Sequence, residues 1–240
     1  DVAGFVPIDF WNTAITTLRA NNGPLFMLAE WEDPALIEAG FNAVYGWEFH
    51  HIMNEVAKGH KSVSAIAEYA AKCDTVWPAE TMKMYFNTNH DENSWNGTVE
   101  ERMGDLGNAM YILASMMKRS FPLIYSGQEA GLNHRYPFFS KDTVGLDWSK
   151  SHAQSDFFAQ MLALKHKHQA LFNGELGYDM ALEIDTATNS MRIWRGEEGE
   201  TDEVIAIFEF SEVPGAFEAP ENFDLVIEVK GAQIWASKLD

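Results

Sequence analysis

Met84-Tyr85-Phe86-Asn87-Thr88-Asn89-His90-Asp91-Glu92-Asn93 passes within a few residues from an apolar run to amide, imidazole and carboxylate groups. A short run such as 84–87 that empties into a polar loop has the form of a buried parallel strand. Residues 25–28, 41–45 and 122–125 repeat the form. They deliver Ala29-Glu30-Trp31-Glu32, Gly46-Trp47-Glu48 and Ser126-Gly127-Gln128-Glu129 respectively. Helical patterns lie around these runs, at 9–21 and 62–72. A third starts at Thr98 and Glu101, a capping-box pair, and carries Met103, Leu106, Met110, Leu113 and Met117 at helical spacing. Ser151 and Gln154 stand in the same relation to Phe157, Met161, Leu164 and Leu171. Strand followed by helix, repeated, predicts a parallel α/β architecture over residues 1–172. From 173 to 240 the pattern changes to β-type runs at 190–195, 203–210, 224–230 and 232–236, with no helix between them. That predicts a small antiparallel sheet or β-sandwich packed on the first unit.

Composition is that of a globular protein: 46% hydrophobic, 22% charged, with 8 Trp and 16 Phe among 240 residues. Acidic residues outnumber basic ones by 36 to 17. This balance repels nucleic acid and anionic membrane surfaces, which clustered Lys and Arg bind. It suits a secreted or periplasmic protein, although it leaves the compartment open. Cys73 is the single cysteine, so no intrachain disulfide can form. No stretch is long and apolar enough for a membrane span.

In parallel α/β folds the chemistry sits at the carboxyl ends of the strands. Carboxylates recur at those ends, with Trp31, Trp47 and Trp95 beside them. Indole faces next to carboxylates suit a sugar, whose C–H face stacks on the ring while acids move protons. Solvated loop acids would give the same spacing. Adjacent His50 and His51 point about 100° apart on a helix, and His166 and His168 share no face, so neither is a metal pair. No metal ligand set is expected. Cys73 and most of the Met residues read as packing, as do Trp11, Trp77, Trp148, Trp194 and Trp235.

Four segments together resemble the α-amylase family, glycoside hydrolase family 13, in the family's order. Asp1-Val2-Ala3-Gly4-Phe5-Val6-Pro7 is similar to the end of its nucleophile motif. Phe26-Met27-Leu28-Ala29-Glu30 resembles the fifth-strand motif with the acid/base glutamate. Phe86-Asn87-Thr88-Asn89-His90-Asp91 resembles the seventh-strand motif, and residues 121–129 resemble the eighth-strand segment. The resemblance implies the C-terminal half of a (β/α)8 barrel followed by a small all-β sandwich. It implies a retaining hydrolase of α-glucans such as starch and maltooligosaccharides. Asp1 would be the nucleophile, Glu30 the acid/base and Asp91 the stabiliser of the oxocarbenium-like transition state. His90, Trp31 and Trp95 would bind the sugar.

The family's first strands, its arginine before the nucleophile and the inserted domain that often binds calcium have no counterpart here. The chemistry itself requires no cofactor, and calcium is expected only of a longer protein. The chain is therefore expected to be a fragment, inactive alone, whose open barrel edges drive self-association. Rival readings are a transglycosylase, a sucrose- or trehalose-acting member of the family, and a non-catalytic carbohydrate-binding or assembly module.

Overall fold

The structure is a computed structural model that describes residues 1–144, 146–149 and 152–239. Four short strands, β1 (Leu28–Ala29), β2 (Ala43–Tyr45), β3 (Met82–Tyr85) and β4 (Ser120–Pro122), form one parallel sheet in sequence order. Register is set pair by pair: Ala29 lies opposite Val44, Tyr45 opposite Met84, and Tyr85 opposite Pro122. The chain enters through α1 (Ile8–Asn22) and crosses between strands by α2 (Pro34–Glu38), α3 (Trp47–Ala57), α4 (Ser64–Val76), α5 (Val99–Met103) and α6 (Gly107–Met116). Helix α7 (Ala153–Lys167) follows β4.

Local chemistry accounts for these boundaries. The Thr98 hydroxyl accepts from Glu101 N at 3.3 Å while Glu101 Oε2 accepts from Thr98 N at 2.8 Å, the reciprocal cap that opens α5. Asp33 caps α2 by accepting from Ala35 N, with Pro34 at the first helical position. Every residue of helix α6 except half-buried Asn108 is buried, so its run of Met, Leu, Ile and Ala reflects core on nearly every side. The expected Ser151 cap of α7 lies outside the described residues. The residue at the cap position, His152, makes no side-chain cap bond.

The strands are offset from the sequence-predicted runs in both directions: β1 and β2 start two to three residues later than expected. Strands β3 and β4 start and end about two residues earlier than expected, because Phe86, Asn87 and residues 123–125 belong to the exiting loops. Helices α2 and α3 escaped the sequence reading. Trp47 and Glu48, expected in a loop, form the first turn of α3.

The C-terminal part corrects the sandwich. Strands β5 (Asp179–Asp185), β6 (Ser190–Gly196), β7 (Val204–Glu209), β8 (Phe223–Val229) and β9 (Ala232–Ser237) make a single antiparallel sheet, ordered β5-β6-β7-β9-β8. Its apolar side is covered by α4 and α6 rather than by a second sheet. Strand β5, which the sequence reading missed, alternates exposed and half-buried residues and so carries no continuous apolar run. Met191, Ile193, Ala206, Phe208 and Ile234 join Tyr111, Leu113, Phe157 and Phe158 in one core, which makes the sheet and the parallel layer a single packed body. Buried Arg195 stitches them further, donating to Met116 O, Met117 O and Tyr178 O at 2.9–3.3 Å. One smaller expectation, the packing of Trp148, changes as well. Trp148 is 63% exposed, and His168 is buried with its ring 2.7 Å from Asp202 Oδ1.

Candidate active site

Glu30 follows β1 and His90-Asp91 follow β3, so both groups leave the carboxyl edge of the same sheet. The structure brings them together. One oxygen of Glu30, a ring nitrogen of His90 and one oxygen of Asp91 all lie within 4.8 Å of one another. His90 Nε2 is 3.3 Å from Glu30 Oε1 and 3.8 Å from Asp91 Oδ2. All three side chains reach solvent to some degree, at 18% for Glu30, 33% for Asp91 and 47% for His90. Asp1 is close by: its main-chain nitrogen is 3.6 Å from Glu30 Oε2, and its side chain points to solvent. It does not end a strand here, since the first strand of the sheet is β1.

Three other acids at this edge, Glu32, Glu48 and Glu92, are engaged elsewhere. Glu32 accepts from Lys83 Nζ at 2.7 Å through Oε1 and from Glu48 N at 2.7 Å through Oε2. Glu48 is paired with Lys72 at 2.7 Å. Glu92 is buried, with Oε2 2.9 Å from His50 Nε2 and Oε1 accepting from Asn96 at 3.0 Å. Burial raises the Glu92 pKa, but the His50 contact and nearby Arg102 outweigh it and hold the carboxyl at about 2. Pairing thus separates bracing acids from the two that face the cleft, a distinction that spacing alone cannot give.

Tyr45, which closes β2 between the two turns, is a site residue that the sequence reading missed. Its pKa is pushed up to about 12 by burial and by the charges of Glu30 and Asp91. The phenol therefore keeps its proton and can act as a donor beside both acids. The available signal was its place as the last residue of the strand.

The two expected tryptophan platforms part company. The Trp31 ring packs on Phe5 at 4.9 Å and so closely on Gly4 that a Cβ there would lie 2.2 Å from it. Half-buried, it ties the Glu30 turn to the segment ahead of α1. Trp95 is 59% exposed and forms an open aromatic group with Phe138 at 5.2 Å and Phe139 at 6.1 Å. Phe138 in turn lies nearly parallel to the His90 ring, 6.2 Å away. Large exposed aromatics in contiguity mark a binding surface more often than isolated ones. Their two loops are tied where Asn93 accepts from Tyr136 N at 2.8 Å and donates to His134 O at 2.9 Å. Beside them a polar cavity of about 280 Å³ is lined by Asn93, Ser126, Gln128 and Tyr136, among others.

No protein-family model and no curated protein matches the chain. Solved structures do. A noncanonic maltogenic α-amylase from Thermotoga neapolitana aligns with a TM-score of 0.69 and 20% identity, over 88% of this chain and 47% of its own. An α-amylase from Lactobacillus plantarum aligns with a TM-score of 0.68 and 22% identity, over 86% of this chain and 50% of its own. A three-domain cyclomaltodextrin glucanotransferase aligns with a TM-score of 0.67 and 15% identity, over 96% and 54%. The chain spans about half the length of the solved structures it matches. Its parallel sheet and trailing antiparallel sheet fit a partial barrel and a β-domain, and the chain has the fold of the corresponding part of α-amylase-family structures.

Proposed function

We propose that the chain carries part of the active site of an α-amylase-family enzyme that cleaves α-glucans with retention of configuration. The observation that carries this reading is the convergence of Glu30, His90 and Asp91 within 4.8 Å, from the ends of β1 and β3, while the neighbouring Glu32 and Glu92 are held by buried Lys83 and His50. In this reading Asp1 attacks the anomeric carbon and Glu30 passes its proton to the departing glycosidic oxygen. Glu30 then takes a proton from the water that releases the glycosyl ester. Asp91 and His90 hold the hydroxyls of the reacting ring as positive charge builds on it. Trp95, with Phe138 and Phe139, offers its face to the next sugar. These steps need carboxyl groups and water and no cofactor. Calcium, in this reading, binds elsewhere in a longer protein.

The same groups serve transfer to a sugar instead of water, and the exposed aromatic group beside His90 is the feature that would hold such an acceptor. The sheet ends at β1 and β4, and exposed Phe26, just ahead of β1, meets Phe121 of β4; we also propose that isolated chains pair through these two edge strands. Concentration-dependent sedimentation is expected, and a monomer at every concentration would contradict it.

Incubating the full-length protein with maltoheptaose and following new reducing ends by proton NMR tests the main reading. Products released first as the α-anomer are expected. Release as the β-anomer, or no cleavage and no longer oligosaccharides, would overturn it.

A further inference from the structure

His90 and Asp91 are the open apex of a turn whose shoulders are closed. Phe86, Asn87, Thr88 and Asn89 before them, and Glu92 and Asn93 after them, are each 5% exposed or less. The shoulders are joined internally where Asn89 accepts from Glu92 N at 2.8 Å. One residue from another element bridges them. His50, in the first full turn of α3 and wholly buried, places Nδ1 3.0 Å from Phe86 O and Nε2 2.9 Å from Glu92 Oε2. A single rigid ring thus spans the entry and the exit of the turn.

The ring is itself fixed. Arg102 has only donors, so the Asn54 oxygen faces its Nη1 at 2.9 Å and the Asn54 amide nitrogen faces His50, 3.0 Å from its carbonyl and 2.9 Å from Nε2. The remaining Arg102 donors reach Asn87 O at 2.7 Å and Gly97 O at 2.9 Å. Phe86 O accepts only, so Nδ1 carries a proton in either state of the ring. Nε2 then stands between a donor, Asn54, and an acceptor, Glu92: in the doubly protonated ring it donates to Glu92 and the clamp closes on both shoulders, whereas in the neutral ring it accepts from Asn54 instead. The charged or titratable groups facing the ring are Glu92, Arg102 and neighbouring His51.

We infer that His50 is a positioning residue for Asp91, clamping both shoulders of the turn so that its carboxylate keeps the angle that the transition state requires. This rests on the reading of Asp91 given above. A side chain loosened by about an ångström loses roughly 100-fold in rate, with ground-state binding less affected.

Three substitutions in the full-length protein test this, assayed on maltoheptaose with Asp91→Asn alongside. His50→Leu removes both contacts, His50→Asn can keep the one to Phe86, and His50→Gln can keep the one to Glu92. The expected result is a kcat about 100-fold lower for His50→Leu, KM within about threefold of the parent, and partial recovery of kcat in the two amide variants. If His50→Leu does not fold, the amide variants carry the test, and each should fall below the parent in kcat. Unchanged kcat in folded His50 variants, with Asp91→Asn inactive, would overturn the positioning role alone. Full activity in Asp91→Asn would overturn the site reading, and the positioning role with it.

Discussion

The turns that carry Glu30 and Asp91 are built alike and braced differently. Each facing acid is followed within two residues by a second acid that turns inward, Glu32 in one case and Glu92 in the other. Glu32 meets Lys83, a wholly buried strand residue whose ammonium also sits 3.5 Å over the Trp77 ring. Glu92 meets His50, a neutralisable ring on α3. Helix α3 serves both: its first turn donates Glu48 N to Glu32 and also supplies His50. The comparison teaches that one helix at the end of β2 sets the relative placement of two acids from different strands. It also shows that Glu32 and Glu92 are held by partners from the body of the fold, while Glu30 and Asp91 stay at the cleft beside His90.

The largest expected effect comes from breaking the lysine brace. Lys83→Met leaves the Glu32 carboxylate without its cation, at a cost of about 3–5 kcal/mol. For a domain of this size that is roughly a 10 °C drop in the thermal midpoint. Adding Glu32→Leu should recover much of the loss. A midpoint shift under about 2 °C for Lys83→Met would show that the pair is not the brace.

The histidine brace should reveal itself on the acid side. The Glu92 pKa is lower in the folded chain, at about 2, than the usual carboxylate value near 4.5. The stability it contributes is complete above that usual value and is lost as pH falls toward 2, about 3 kcal/mol in all. Urea titrations at stepped pH should therefore show a loss that Glu92→Gln abolishes. An identical acid slope in parent and variant would contradict the pairing.

The smallest effect belongs to the aromatic surface. Trp95→Ala removes one stacking face and should raise KM for maltoheptaose about three- to tenfold, leaving kcat nearly unchanged. An unaltered KM would remove Trp95 from the sugar path.

What the sequence could tell about these features depended on distance along the chain. The strand–helix alternation and the Thr98–Glu101 cap are local patterns and were legible. So were Glu30, His90 and Asp91 as a group, but through motif resemblance, since acid spacing alone left solvated loops equally open. Trp31 looked like Trp95, and only the packing of Gly4 and Phe5 on its ring separates them. Lys83 in a β-run and His50 in an unrecognised helix carried no signal, because their partners lie 51 and 42 residues away in sequence. The second sheet was expected for a similar reason: an alternating strand announces that it needs a cover, not whether helix or sheet supplies it.

The central claim is that Glu30 and Asp91 perform chemistry while Glu32 and Glu92 hold them in place. Release of reducing ends from soluble starch by the full-length protein, compared with its Glu30→Gln and Glu32→Gln forms, tests it most directly. A loss of roughly 10³-fold or more is expected for Glu30→Gln, and a smaller loss, matched by lowered stability, for Glu32→Gln. Parent-like activity in Glu30→Gln, or equal losses in both with stability unchanged, would contradict it.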